Sequence, residues 1–158
     1  MPDDNERSNA ALVQRKAEGL ALGRAVLARQ SFSMLLGAEL AAIEPGYAEI
    51  HLPITPDLMQ QRGVVHGGAI AYLADNAQTF AGGSVLGEKV ATLETKINYL
   101  RPALAGTLVA RARLIGHGKR TAVTTCEIFA RSDEGEIMVA AAQGTIMTLA
   151  DPSAEAAK

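Results

Sequence analysis

Cysteine is almost missing from this 158-residue sequence, histidine is scarce, and neither sign of charge dominates. The one cysteine, Cys126, has no partner for an intrachain disulfide, and no second cysteine or clustered histidine accompanies it to bind zinc. Its neighbours Thr125 and Glu127 suggest a strand, so it reads as packing filler and not as a nucleophile. With 15 Lys and Arg against 17 Asp and Glu, the net charge is −2, which gives none of the field of a nucleic-acid binder. The polar, acidic start MPDDNERSN lacks both the basic and the apolar regions of a secretory signal. No apolar run approaches the ~20 residues needed to span a bilayer. These absences point to a cytoplasmic protein with no nucleic-acid or membrane partner and no bound metal.

What the sequence does have is a 48% hydrophobic content, enough for the core of one domain. Residues 1–9 read as a disordered start and 150–158 as a flexible tail. Over 10–30, Val13, Ala17, Leu20, Ala21, Leu27 and Ala28 fall at three- and four-residue steps, the pattern of an amphipathic helix that serves as a lid or an interface element. GAELAAIEPGYAEIHLPI holds two extended runs around Glu44-Pro45-Gly46, a hairpin whose second strand places His51 on its wetter face. After the loop TPDLMQQRG comes a long helix with Ile70, Leu73, Ala74, Ala77, Phe80, Ala81 and Val85 on one stripe, ended by Gly82, Gly83 and Gly87. Four strand-like runs follow, about 90–100, 106–116, 120–131 and 136–149, and their Gly-bearing turns predict an antiparallel meander. One helix against one sheet leaves the helix a second face to cover, and a twofold partner would cover it.

The stretch VVHGGAIAYLADN, residues 64–76, interrupts that oily helix with one carboxylate. At ~100° per residue, Asp75 lies opposite the apolar stripe with Tyr72, Thr79 and Gly82, a face that suits solvent and another subunit equally. The helix begins near His66-Gly67-Gly68, where backbone N–H groups lack intrahelical partners and favour an oxygen bearing negative charge. The glycine pair also fits a tight turn with close helix–sheet packing. One carboxylate and one oxyanion donor suit thioester hydrolysis, because a thiolate of parent pKa near ~8.5 departs without a strong acid. The carboxylate either attacks the carbonyl or draws a proton from water, while the Gly67 N–H steadies the oxyanion.

Together, SFSMLLGAEL, GVVHGGAIAYLADNA, KINYLRPA and GHGKRTAV give residues 31–149 a resemblance to the hotdog-fold acyl-CoA thioesterases of the phenylacetate-degradation type. The resemblance implies an α+β hotdog fold over 31–149: a curved antiparallel sheet wrapped around the long central helix, here with an extra N-terminal helix. It implies a homodimer with active sites between chains, and in the family two such dimers often join into a dimer of dimers, which leaves dimer and tetramer both open here. It implies that Asp75 is the catalytic carboxylate, that Gly67 polarises the thioester carbonyl, and that His66 shapes the helix start. Gln60 and Thr92 match positions that orient water or the carbonyl in relatives. Gly68, Arg101, Pro102, Gly118, Lys119 and Arg120 match a coenzyme A site, with coenzyme A being part of the substrate and no separate cofactor required. His117, in the same Gly-flanked turn, is expected to be exposed. Ala71, Ala81, Gly82 and Gly83 leave room for an aryl or medium-length acyl group.

Two other readings compete. A hotdog dimer that binds acyl-CoA or a small apolar ligand without turnover would keep the same residues, since catalysis depends on fine positioning. A hydratase or dehydratase needs a histidine paired with an acid elsewhere in the fold, which His66 and Asp75 imitate poorly.

Overall fold

The computed structural model describes residues 4–149, with side chains from Leu12 onward. Helix α1 spans Asp4–Ala28, α2 Ser31–Leu36 and α3 Gly67–Leu86; strands β1 to β6 span Glu39–Glu44, Tyr47–Pro53, Val90–Tyr99, Thr107–His117, Thr121–Ser132 and Gly135–Thr148. The six strands form one antiparallel sheet in the order β1-β2-β4-β5-β6-β3. The expected hairpin is β1–β2, turned at Gly46 with φ 75°, and the four later strands fall within one or two residues of their expected limits.

The core sits between α3 and one face of the sheet, and α3 touches every strand. Ala48, Ile50 and Leu52 of β2, Leu108, Ala110 and Ala112 of β4, and Cys126 and Ile128 of β5 are fully buried there. They meet Ile70, Leu73, Ala74, Ala77, Phe80 and Ala81, the stripe that a 3.6-residue period selects. At 1% exposure, Cys126 is core, and burial pushes its thiol up to about 12, which leaves it unreactive.

The structure corrects several expectations. The four later strands are not one meander: β3 pairs with β6 at the far edge, and β4 pairs with β2. The segment 100–106 carries the chain across the end of the sheet, donating from Leu100 N–H to Val139 and accepting from Val65 and Ile54 at Ala103 and Gly106. Such a crossing is a long-range choice that strand periodicity does not encode. Helix α1 begins at Asp4, so residues 4–9 are helical; no glycine or proline lies between residues 3 and 18 to stop the helix. Residues 1–3 and the tail at 150–158 lie outside the described residues. On α1, Leu20 and Leu27 of the expected pattern carry the contact together with Gly23, while Val13, Ala17, Ala21 and Ala28 are exposed. That contact covers β1, so one edge of the sheet is sheathed by a helix, while no element among the described residues covers the other, β3. The short helix α2, held to α3 by Asn76 donating to Ser33 Oγ, had no counterpart in the sequence reading.

Candidate active site

Asp75 projects from α3 toward the edge strand β3. It is half-buried, and Thr92 of β3 donates its hydroxyl to Oδ1 at 2.7 Å. Oδ2 accepts from no group among the described residues. Thr79, one turn along, donates to the Asp75 carbonyl at 2.9 Å and stands 3.0 Å from the Thr92 hydroxyl. Three contacts share two hydroxyl hydrogens. With Thr92 committed to the carboxylate, Thr79 serves either its own helix or the Thr92 oxygen. The sequence reading had placed Thr79 beside Asp75 without a role; its i+4 spacing was the available signal.

At the other end, His66 is the N-cap of α3 and its Nδ1 accepts the Gly68 N–H at 2.9 Å. That bond fixes the neutral imidazole as the tautomer with hydrogen on Nε2, on an exposed residue. The Gly67 N–H has no acceptor among the described residues. A Cβ built on Gly67 would meet only the Tyr99 ring, at 3.4 Å, an ordinary contact, and its φ is not positive. The fold therefore does not require glycine there. Gly82 differs, since its Cβ would lie 2.8 Å from two carbons of Ile146. Gly82 and the buried Ala81 thus pack helix against sheet, and Gly83 also lies tight, 3.3 Å from Val90.

Tyr99, which the sequence reading passed over, closes the helix start: it donates its hydroxyl to the Gly67 carbonyl at 3.1 Å. Gln60 sits half-buried in the loop before the helix, where its backbone N–H and C=O close a turn with Val64 and Gly63. Its side chain makes no hydrogen bond among the described residues.

The basic residues do not gather in one chain. Arg101 and Pro102 lie exposed at the end of β3, where Arg101 donates to the Met138 carbonyl. Gly118, Lys119 and Arg120, with the exposed His117, form the β4–β5 turn, and the Arg120 carbonyl accepts from Thr148 at the other end of β6. At ~3.3 Å per residue those ends of β6 stand about 33 Å apart. His51 is half-buried on the outer sheet face, 2.7 Å from Glu49 in a cluster with Tyr47 and Arg111, away from Asp75.

Beside Asp75, α2 supplies an apolar shelf. Phe32 meets the Tyr72 ring edge-on at 5.2 Å between centroids, and Phe32, Met34 and Leu35 are more than half exposed. Tyr72 accepts from Asn76 Nδ2 at 3.0 Å.

Known proteins share this sequence pattern and fold. The thioesterase superfamily matches residues 62–137, from the loop before α3 to β6. The 1,4-dihydroxy-2-naphthoyl-CoA hydrolase of Listeria monocytogenes is 32% identical over 113 residues, covering 70% of this chain and 89% of that protein. The acyl-coenzyme A thioesterase PaaI of Escherichia coli is 35% identical over 94 residues, 59% of this chain and 66% of its own. A solved thioesterase family protein from Silicibacter pomeroyi superposes with TM-score 0.77 at 31% identity, covering 85% of this chain and 98% of that one. The E. coli PaaI structure gives 0.77 at 26% identity, with 85% and 96% covered. No helix among the described residues is long and apolar enough to cross a membrane. Sequence identity and superposition agree, and the chain belongs to the thioesterase superfamily as a hotdog-fold thioester hydrolase.

Proposed function

We propose that this hydrolase cleaves acyl-CoA thioesters carrying an aryl or medium-length acyl group, at sites built between two copies of the chain. The observation that carries the two-chain reading is a separation along α3. Gly67 and Asp75 lie eight residues apart, about 12 Å along the helix at ~1.5 Å per residue. Reaction at one carbonyl needs its partners within about 3–3.5 Å. One chain's helix start and carboxylate therefore do not serve the same thioester.

A twofold partner resolves this. The ten-residue strand β3 pairs with β6 on one side only, and its outer edge, with Leu93, Tyr99 and Leu100 exposed beside it, is a surface that natural proteins cover or pair. Antiparallel pairing of two such edges reverses their ends, so the helix start of one copy meets Asp75 of the other. The same operation brings Arg101 of one copy toward the Lys119–Arg120 turn of its partner, which favours shared recognition of coenzyme A phosphates. A closed isologous pair of this kind is the commonest form of oligomer, and a dimer of dimers extends it.

Within that site, Asp75 Oδ2 attacks the thioester carbonyl or takes a proton from water, and the Gly67 N–H stabilises the oxyanion. Thr92 holds Oδ1 and so aims Oδ2. The thiolate leaves without an acid. Phe32 and Tyr72 support the aryl or medium-chain assignment as an apolar shelf one turn from the carboxylate, in keeping with naphthoyl-CoA and acyl-CoA activities in the relatives' names. A panel of aryl- and alkyl-CoA substrates assayed for free thiol tests the reading, with Asp75→Asn as the control. Steady turnover that Asp75→Asn abolishes is expected. Equal thiol release by both proteins, or binding of acyl-CoA without release, overturns it.

A further inference from the structure

We propose that Tyr99 is a positioning residue for the helix start, acting through one peptide unit to aim the donors at the thioester carbonyl. The inference rests on the proposed hydrolysis for its kinetic part and on geometry alone for the rest. The Tyr99 hydroxyl donates to the Gly67 carbonyl at 3.1 Å, and the N–H of the same peptide unit, that of Gly68, donates to His66 Nδ1 at 2.9 Å. The Gly67–Gly68 peptide is thus held at both ends, by a strand on one side and by the N-cap imidazole on the other. Besides the helical bond that the Gly67 carbonyl accepts within α3, these two bonds hold a stretch that is otherwise loose, because two consecutive glycines have the widest backbone freedom and first-turn N–H groups have no helical acceptor.

The consequences run in both directions along the chain of bonds. A hydroxyl donating to an amide oxygen polarises that amide and strengthens the bond its N–H makes. The His66 ring is thereby fixed with its hydrogen on Nε2. The Gly67 N–H, on the adjoining peptide, keeps its direction because the peptide after it does not rotate. The Tyr99 ring also packs at the position a Gly67 side chain would reach, 3.4 Å away, so ring and hydroxyl act on the same residue.

Strand β3 therefore supports both ends of the reaction. Thr92, near its beginning, binds the Asp75 carboxylate, and Tyr99, its last residue, binds the helix start. Tyr99 is more than half exposed.

Tyr99→Phe keeps the ring and removes only the hydroxyl. The full-length variant is assayed for thiol release from benzoyl-CoA and octanoyl-CoA, its thermal midpoint is measured, and the His66 ring nitrogens are read by side-chain ¹H–¹⁵N NMR without substrate, assigned by their loss in His66→Gln. The expected result is a kcat roughly 10- to 100-fold lower, the scale of a small misplacement of a reacting group, with KM within about twofold and an unchanged midpoint. The His66 signals should move from one tautomer toward a mixture. An unchanged kcat overturns the proposal, as does a loss confined to KM or matched by a fall in thermal midpoint. If wild-type protein releases no thiol from either substrate, the hydrolysis reading fails and the NMR result decides: unchanged His66 signals in Tyr99→Phe then reject the positioning role.

Discussion

The two ends of α3 use the same residue for opposite purposes. Near its C-terminal end, Gly82 lets the helix lie against β6 so closely that a methyl group would collide with Ile146, and the neighbouring Gln78 is wholly buried. Gln78 donates to the Thr124 carbonyl and accepts from Thr95, so a polar group in the core is satisfied from two strands. At the N-terminal end, Gly67 has room for a methyl group against the Tyr99 ring, and its N–H has no acceptor among the described residues. One glycine makes space that the protein fills itself; the other leaves space for something from outside. Stability should therefore reside at one end of this helix and turnover at the other.

Asp75→Asn tests the functional end most severely. Its side chain stands off the core stripe, so the fold should survive while kcat falls by about 10³-fold or more, the upper range for losing a catalytic base or nucleophile. Unfolding of this variant would instead make Asp75 a structural residue. Next in size is Gly67→Ala, expected to cost about 10²-fold in kcat/KM by crowding the oxyanion donor. Its unfolding free energy should be neutral or rise by up to ~1 kcal/mol, because alanine is the better helix former. Gly82→Ala, the same change made farther along the helix, should do the reverse. Overpacking against Ile146 costs ~1–3 kcal/mol, of which helix propensity returns part, while kcat of the folded protein stays near wild type. Urea unfolding at fixed protomer concentration, run beside the thiol assay, compares the two. Like responses from both glycines would break the contrast.

Legibility in the sequence followed the same division. Helix α3 and the strands were readable because burial repeats at 3.6 or 2 residues, and Asp75 stood out as the one carboxylate of an otherwise oily helix. Thr92, matched through the resemblance, does meet the carboxylate. The topology was not readable in full, because the segment after Tyr99 decides which edge β3 occupies, and that choice depends on contacts with residues 54, 65 and 139. Tyr99 was missed for this reason: its function exists only once the end of β3 is beside the helix start. The six residues of α2 are too few to show a period. Arg101 and the Lys119–Arg120 turn read as one basic site, yet in a single chain they stand at opposite ends of the sheet.

Smaller effects sharpen the contrast from the outer face of the sheet, remote from Asp75. There Arg111 grips Glu136 with two bonds of 2.7 and 2.9 Å, Arg131 adds a third at 2.7 Å, and Arg111 also reaches Glu49 at 2.9 Å. The Arg111 hydrogen bonds, and then those of Arg131, hold the Glu136 carboxyl down at about 2. A carboxyl depressed in the folded state binds fewer protons there than in the unfolded chain. Its stabilisation is thus complete above the ordinary value of 4.5 and is lost as pH falls from there through about 2. Glu136→Gln should flatten the acid limb of the stability curve in that window, by a modest amount because the cluster is partly open to solvent. The variant's kcat at neutral pH should match wild type, since the same sheet that holds β3 beside Asp75 turns these charges the other way. A drop in kcat without a change in acid stability would mean that the outer face reaches the site, and the division between a structural and a reactive flank would fail.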